Sequence, residues 1–469
     1  MAMTDERERP TDQQIAETPT SDEVPAAETP VAASDTSGAD LDRRNFFRIF
    51  SREAVQTAAT VVGAASAVRK GTTAAAVELL GLGIDPEAGA ARLGAAMSAT
   101  DEARVAGVGG RSPYRLDGER IFVLDQRRLP REVIEAVCTS GAEVAGLMRE
   151  GAIGPGPVLG PLAAYAMALA ADRNVASRTF VRSATLRGTA NALRNARPDS
   201  AALEVALARV TAAWERARGD HAEGDAADSG AGPAIAVAIR AEADAIAMET
   251  MTGLAALVEH GAALLPQPAD RPLEVVTIGA SGPLSAGVIG TGAGVMAAVA
   301  AAGRPIHAWV LEARPGRAGA RIGAAELQAS DVPVTVIADG AVGWLFSGRT
   351  IDAVLVGADR IAANGDVANV AGTYPLAAIA ARHGVPSYVC ALRSTFSESA
   401  ATGADLAIVL RGRHELFSLP GEPAPEGIEA RAPLSDVTPA DVIAAYITEA
   451  GVVHVPPASC RVDSTPLPM

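Results

Sequence analysis

Short apolar runs alternate with helix-like segments through the second half of the chain, and this alternation constrains the fold more than any other feature. The runs predict β-strands at residues 275–278, 306–311, 334–337, 353–356 and 387–390. The intervening segments predict helices at residues 288–302, 324–329 and 370–383. Apolar strands that alternate with helices form a parallel sheet covered on both faces. We therefore predict a Rossmann-like domain.

The half before this domain is predicted to be mostly helical with a small sheet. A strand at 121–124 leads into a predicted helix at 131–149, with Val133 and Val137 among its apolar positions. Further helices of this half are predicted at 163–171, 201–217 and 233–265. The Rossmann-like half is predicted to end with a helix at 440–450. Val237 is among the positions of the 233–265 helix that are expected to face inward.

Proline residues at 266 and 268 mark the linker between the two halves. We predict an α/β protein with a helical N-terminal domain at 113–265 and a Rossmann-like C-terminal domain at 266–469. At 469 residues, the chain is long enough for two domains with sizeable cores.

Residues 1–42 form an acidic segment with few large apolar side chains. Eleven Asp or Glu residues and two Arg residues give this segment a charge of 2 − 11 = −9, out of −15 for the whole chain. Such a segment cannot bury enough apolar surface to offset the entropy cost of ordering, so we predict a disordered tail. The remainder is only mildly acidic, which argues against a nucleic-acid surface.

Residues 43–112 are predicted to form a basic and apolar helical extension. Arg43 and Arg44, followed by Phe46 and Phe47, resemble a twin-arginine export signal. The alternative is an amphipathic helix that docks on the body or touches a membrane surface. The apolar run at 54–68 is too short to predict an integral membrane span.

Cysteine and histidine usage predicts neither a disulfide framework nor a metal site. The three cysteines, Cys138, Cys390 and Cys460, have no close spacing, and the six histidines form no recognised metal-binding pattern. We predict no metal and no cofactor.

A polar segment follows the predicted strand at 353–356. Asp359 and Arg360 lie at the carboxyl end of this strand, where ligands bind in open parallel sheets. Asp359 is therefore a candidate for acid–base chemistry. The alternative is that Asp359 caps a following helix and pairs with Arg360 on the surface.

The same segment carries a resemblance to a known family. VGADRIAANGDVANVAGTY, at 356–374, resembles the signature of the methylthioribose-1-phosphate isomerases. These are related to the ribose-1,5-bisphosphate isomerases and to the regulatory α, β and δ subunits of eukaryotic translation initiation factor 2B. LDQRRLP at 124–130 and DVTPADVIAAYITEAGV at 436–452 resemble further segments of the family.

The resemblance implies an aldose–ketose isomerase of methionine salvage that acts on a phosphosugar such as S-methyl-5-thioribose 1-phosphate. It also implies a homodimer. A cytoplasmic location follows from this activity, with twin-arginine export or membrane-surface association through residues 43–70 as the alternative.

Three site residues carry over from the family. Asp359 matches the catalytic aspartate of its Gly-Ala-Asp-Arg-Ile-Ala motif. Arg187 is matched to the arginine of a segment with the form Arg-Pro-Thr-Ala-Val-Asn, and Asn369 is matched to the asparagine of an Asn-Lys pair. The resemblance implies that Arg187 and Asn369 bind substrate.

Other family positions have lost their polar side chains. The catalytic cysteine is matched by Gly279, a glutamine by Ala318 and the lysine of the Asn-Lys pair by Val370. A first arginine is matched by Gly154, with Arg149 as the alternative if the alignment shifts. Groups that act as a unit in catalysis are lost together here. The resemblance therefore predicts an eroded active site.

The loop that begins at Gly279 could itself bind an anion. Gly279, Ser281 and Gly282 lie at the carboxyl end of a predicted strand, where open backbone N–H groups can cradle a phosphate. The alternative is that these glycines only permit a tight turn.

Two functions remain open from the sequence. The first is a sugar-phosphate isomerase with Asp359 as acid–base. The second is a non-catalytic protein that binds a sugar phosphate or nucleotide, or serves as an assembly subunit, as the initiation-factor subunits do.

Overall fold

The computed structural model describes residues 112–219, 231–287, 289–412, 415–416 and 427–454. The predicted acidic tail at 1–42, the twin-arginine-like segment at 43–70 and Cys460 lie outside the described residues. None of the helices within the described ranges is long and apolar enough to cross a membrane.

The N-terminal half opens with a small antiparallel sheet, β1 (Tyr114–Asp117), β2 (Arg120–Leu124) and β3 (Glu135–Cys138), in that order. The predicted helix at 131–149 is wrong in its first part, because β3 occupies it. Helix α1 (Gly141–Glu150) begins only after Ser140, whose hydroxyl accepts the backbone N–H of Glu143. Val133 and Val137 are 41% and 50% exposed, so neither faces a core.

Four long helices complete this half. They are α2 (Leu159–Arg173), α3 (Thr179–Ala196), α4 (Ala201–Arg218) and α5 (Ala231–Leu264). Every residue of α2 from Leu159 to Ala171 is buried. A Cβ on Gly160 would lie 3.0 Å from the carbonyl oxygen of Ala202, so small residues bring α2 and α4 into close contact.

Helix α5 is 34 residues long and packs into two cores. Ile235, Ile239 and Ile246 are buried among the N-terminal helices, while Leu254 and Leu257 are buried against the second sheet. Val237, predicted to face inward, is 69% exposed, since it lies on the opposite side of the helix from Ile235 and Ile239. The predicted domain boundary at 265/266 stays a prediction.

The second half contains a seven-stranded sheet. Its strands are β4 (Leu273–Ile278), β5 (Ile306–Leu311), β6 (Val334–Ile337), β7 (Ala353–Val356), β10 (Ser387–Cys390), β14 (Ala445–Thr448) and β15 (Gly451–His454). The strand order is β15-β14-β10-β7-β4-β5-β6, and all neighbours are parallel except β14 and β15. The predicted α/β fold with a Rossmann-like sheet is confirmed.

Two short sheets decorate this domain. β8 (Arg360–Ile361), β9 (Val367–Val370) and β13 (Ser435–Thr438) form one in the order β13-β9-β8, and β11 (Leu410–Arg411) pairs with β12 (Ala432–Pro433). The helix predicted at 370–383 therefore begins only at Thr373, after β9.

The covering helices are α6 (Pro283–Ala286), α7 (Gly292–Ala301), α8 (Ala324–Ala329), α9 (Val342–Gly348) and α10 (Thr373–Arg382). The helix predicted at 288–302 begins only at Gly292, because the positive φ angle of Gly290 turns the chain before α7. A π-helical turn, Gly319–Gly323, leads into α8.

The helix predicted at 440–450 is wrong. Only Ala440–Val442 is helical, as a single 3-10 turn, and Ala445–Thr448 then joins the sheet beside β10. Gly451, with a φ of 127°, turns the chain back as β15. Non-local pairing of an apolar run has overridden the local capping signal at Pro439.

Candidate active site

The strand order creates a crevice between β4 and β7. From β4 the chain continues to β5 and β6 on one side of the sheet, and then returns to β7 on the other side. The loops after β4 and β7 consequently leave in different directions from neighbouring strands. Ligands of doubly wound sheets bind at this point, outside the carboxyl ends of the strands. Gly279 follows β4 directly, and Asp359 lies three residues after β7.

Asp359 is a buried carboxyl group at this crevice. It is 9% exposed, and its side chain accepts no hydrogen bond from any residue in the described ranges. Its backbone is fixed on both sides, because its N–H donates to Ala368 O at 2.9 Å and its carbonyl accepts the N–H of Ala201 at 3.3 Å. A buried polar group without a protein partner is typical of a ligand site.

Burial raises the pKa of Asp359 to about 7, and the nearby charge of Asp199 adds to the effect while Arg197 opposes it. A carboxyl group that titrates near neutral pH can both donate and accept a proton. The alternative prediction, a helix cap paired with Arg360, is wrong. β8 rather than a helix follows, and Arg360 pairs with Glu204 at 2.7 Å.

Arg197 and Asp199 reach the site from the connection between α3 and α4. The guanidinium group of Arg197 donates to both carboxylate oxygens of Asp199, at 2.9 and 2.7 Å, and both side chains are largely buried. Burial alone would raise the pKa of Asp199, but the hydrogen bonds and charge of Arg197 hold it below the usual value. The pKa values of these two carboxyl groups therefore differ: Asp199 is ionised, whereas Asp359 titrates near neutral pH.

Sequence reasoning missed this pair. Arg187, the predicted substrate ligand, lies exposed in the middle of α3, and its role stays a prediction. A usable signal was present, since the Arg-Pro dipeptide of the family segment occurs at Arg197-Pro198 and is absent at Arg187-Gly188.

Gly279, Asn369 and Val370 lie together beside Asp359. Gly279 has a φ of 79°, and a Cβ there would lie 3.0 Å from Cγ1 of Val370. The side-chain amide of Asn369 is buried and donates to the hydroxyl of Thr373 at 3.1 Å. The N–H of Asp359 donates to the carbonyl of Ala368, so this backbone contact brings Asp359 next to the strand that carries Asn369 and Val370.

The remaining predicted residues have structural partners. The hydroxyl of Ser281 accepts the N–H of Ala293, in the first turn of α7, at 3.0 Å. The N–H of Leu284 donates to Oε1 of Glu326 at 2.7 Å. One N–H group at the end of the predicted anion cradle is therefore already bonded to a protein carboxyl group.

The thiols and metal-ligating groups lie elsewhere. Cys138 and Cys390 are both buried and free. Burial raises the pKa of Cys390 to about 12, which keeps its thiol protonated and unreactive. Across the described ranges, no three His, Cys, Asp or Glu side chains are grouped so that they could hold a metal ion.

Comparison with known proteins places the chain in a family. The model of the initiation factor 2 subunit family matches residues 157–455. The chain belongs to this family. The chain is similar to a methylthioribose-1-phosphate isomerase from Chloroflexus aurantiacus. The two are 37% identical over 341 residues, which cover 72% of this chain and 94% of the relative.

Two solved structures share the fold. The 5-methylthioribose 1-phosphate isomerase from Pyrococcus horikoshii has a TM-score of 0.63 and 29% identity, covering 74% of this chain and 93% of that structure. The delta subunit of translation initiation factor eIF-2B from A. fulgidus has a TM-score of 0.60 and 29% identity, covering 74% and 96%.

Proposed function

We propose that this protein is an aldose–ketose isomerase that acts on a sugar phosphate such as S-methyl-5-thioribose 1-phosphate, with a reduced set of polar side chains. The observation that carries the proposal is the buried carboxyl group of Asp359, which has no hydrogen-bond partner among described residues and a pKa raised to about 7. The names of similar proteins supply the substrate class.

The reaction requires a group that both gives and takes a proton. When the ring of a 1-phosphorylated aldose opens, the bond between C1 and the ring oxygen breaks and that oxygen gains a proton. A hydride then moves from C2 to C1, and the C2 hydroxyl loses its proton as the carbonyl forms. One proton enters and one leaves, so a single carboxyl group such as Asp359 can serve both steps.

Neighbouring groups would bind the substrate. The charge of Arg197 acts on Asp359, and this cation favours a phosphate or an oxyanion at this edge of the sheet. The amide of Asn369 can pair with a sugar hydroxyl if it exchanges its bond to Thr373. Arg187, predicted from the family segment, remains a second candidate.

The test is an isomerisation assay of the full-length chain on S-methyl-5-thioribose 1-phosphate, with ketose formation followed by NMR. We expect Asp359→Asn to abolish turnover, because an amide cannot exchange protons near neutral pH. Asp117→Asn is the matched control, since Asp117 is half exposed in a surface pair with Arg120. Equal turnover in the wild type and Asp359→Asn would contradict the proposal.

A second candidate is a non-catalytic protein that binds a sugar phosphate or nucleotide. It is favoured by the direct packing of Gly279 against Val370, which puts no titratable group at that side of the cluster. This candidate predicts that the phosphosugar raises the melting temperature without forming product. Measurable ketose formation would exclude it.

We also propose a homodimer in the cytoplasm, on the strength of the family resemblance. Sedimentation equilibrium of the full-length chain tests the oligomeric state, and a monomer at micromolar concentration would contradict it.

A further inference from the structure

Glu326 is a buried carboxyl group that the proposed chemistry does not use. It lies on α8, is 1% exposed, and accepts the N–H of Leu284 on Oε1 at 2.7 Å. Burial raises the pKa of Glu326 to about 8. A buried carboxyl group costs free energy unless its hydrogen bonds compensate, so its contacts point to a role in placing the chain around it.

The helix that carries Glu326 and the turn before it contact both ends of the loop at residues 279–284. A Cβ on Gly282 would lie 2.4 Å from Oε2 of Glu326, so the loop backbone lies directly on the carboxyl group. At the other end, a Cβ on Gly323 would lie 2.3 Å from the carbonyl oxygen of Gly279. The turn that carries Gly323 and the helix that carries Glu326 therefore contact the loop at two points.

The loop is also tied to the N-terminal half. The carbonyl of Leu284 accepts the side-chain amide of Gln126 at 2.9 Å, and the carbonyl oxygen of that amide accepts the N–H of Gly154 at 3.0 Å. Arg321, five residues before Glu326, donates to the carbonyl oxygens of Gln126 and Leu129. The hydrogen bond from Leu284 to Glu326 therefore fixes a loop that both halves of the chain contact.

We propose that Glu326 is a positioning residue, which holds the loop at residues 279–284, and with it Gly279 against Val370, by accepting the N–H of Leu284 and by packing against Gly282. The effect on catalysis rests on the proposed function, whereas the effect on the loop does not.

The test uses the full-length chain with Glu326→Leu, and Glu119→Leu as the matched control on an exposed surface residue. Leucine offers no acceptor to the N–H of Leu284, so this hydrogen bond is lost while the volume of the side chain is nearly kept. We expect amide hydrogen exchange of residues 279–287 to accelerate at least about tenfold. Exchange at 306–311, in the neighbouring strand, should not change.

The kinetic readout separates positioning from chemistry. We expect KM for the phosphosugar to rise about tenfold in Glu326→Leu while kcat changes less than threefold, and Glu326→Gln, which keeps an acceptor oxygen, to restore part of the loss. If wild type shows no turnover, the proposed function fails, but the hydrogen-exchange result still decides the role of Glu326.

Gly282→Ala is a second variant that disturbs the same contact from the loop side, and it is measured if Glu326→Leu does not fold. Its added methyl group meets the Glu326 carboxyl group, so exchange of 279–287 should accelerate in the same way. Unchanged exchange in a folded Glu326→Leu or Gly282→Ala protein would overturn the proposal.

Discussion

Gly279 and Val370 pack against each other where β4 ends, which leaves little room for a side chain at residue 279. A Cβ at 279 would lie 3.0 Å from Val370 Cγ1, and the φ of 79° at Gly279 favours glycine in any case. These are the positions that the family resemblance matches to a cysteine and a lysine. The two losses, which lie far apart in the sequence, therefore fall on a single contact in the structure.

We predict that Gly279→Cys destabilises the fold by roughly 1–2 kcal/mol, because a side chain is strained at this φ and crowds Val370. In a Val370→Ala background the cost should be smaller, since the crowding is relieved. Urea unfolding of the two single variants and the double variant measures the coupling. Strictly additive changes in the free energy of unfolding would show that the contact between residues 279 and 370 does not contribute to the destabilisation.

Asp359→Asn should make the protein more stable at neutral and higher pH. The pKa of Asp359 is raised in the folded state from 3.8 to about 7, so the folded protein binds its proton more tightly than the unfolded chain. Stability from this group is present below about pH 4 and is lost as pH rises to about 7, with an upper limit on the order of 4 kcal/mol. Melting temperatures of wild type and variant, measured from pH 4 to 8, should diverge as pH rises. Parallel curves would contradict this.

Arg197→Met should be strongly destabilising, by about 3 kcal/mol, because it leaves the buried Asp199 carboxylate without its cation. Asp199→Asn in the same background should recover part of the loss. Arg187→Met is the matched control on an exposed position of α3 and should change stability by less than about 0.5 kcal/mol. Denaturant unfolding measures all three, and similar losses for Arg197→Met and Arg187→Met would count against the assignment.

Ile239→Ala should cost roughly 2–5 kcal/mol, because Ile239 is fully buried in the N-terminal core. Val237→Ala, two residues earlier on α5, should cost less than about 0.5 kcal/mol, since Val237 is 69% exposed. Thermal unfolding of both variants checks the orientation of α5. Equal losses would mean that the helix is rotated.

The sequence located the parallel strands well because buried strands are short, apolar runs that local composition reveals. It failed at Glu135–Cys138 and Ala445–Thr448, where pairing with β2 and β10 outweighs helix-like local signals. These partners are distant in sequence, so no local pattern contains them.

The site divides in the same way. Asp359 could be found from its motif and its place after a strand. Arg197, Asp199 and Glu326 reach the site only through tertiary contacts, such as the hydrogen bond from Ala201 to Asp359 and that from Leu284 to Glu326. Their importance depends on packing that the chain order does not display.

Helix α5 gives the described molecule a mechanical constraint. One end of α5 packs in the core of the helical half, and the other end packs against the sheet that carries Asp359. A rigid rod shared in this way does not let the two halves hinge freely, since any tilt at one end is transmitted to the other. Opening of the crevice to admit a ligand would therefore have to come from its loops.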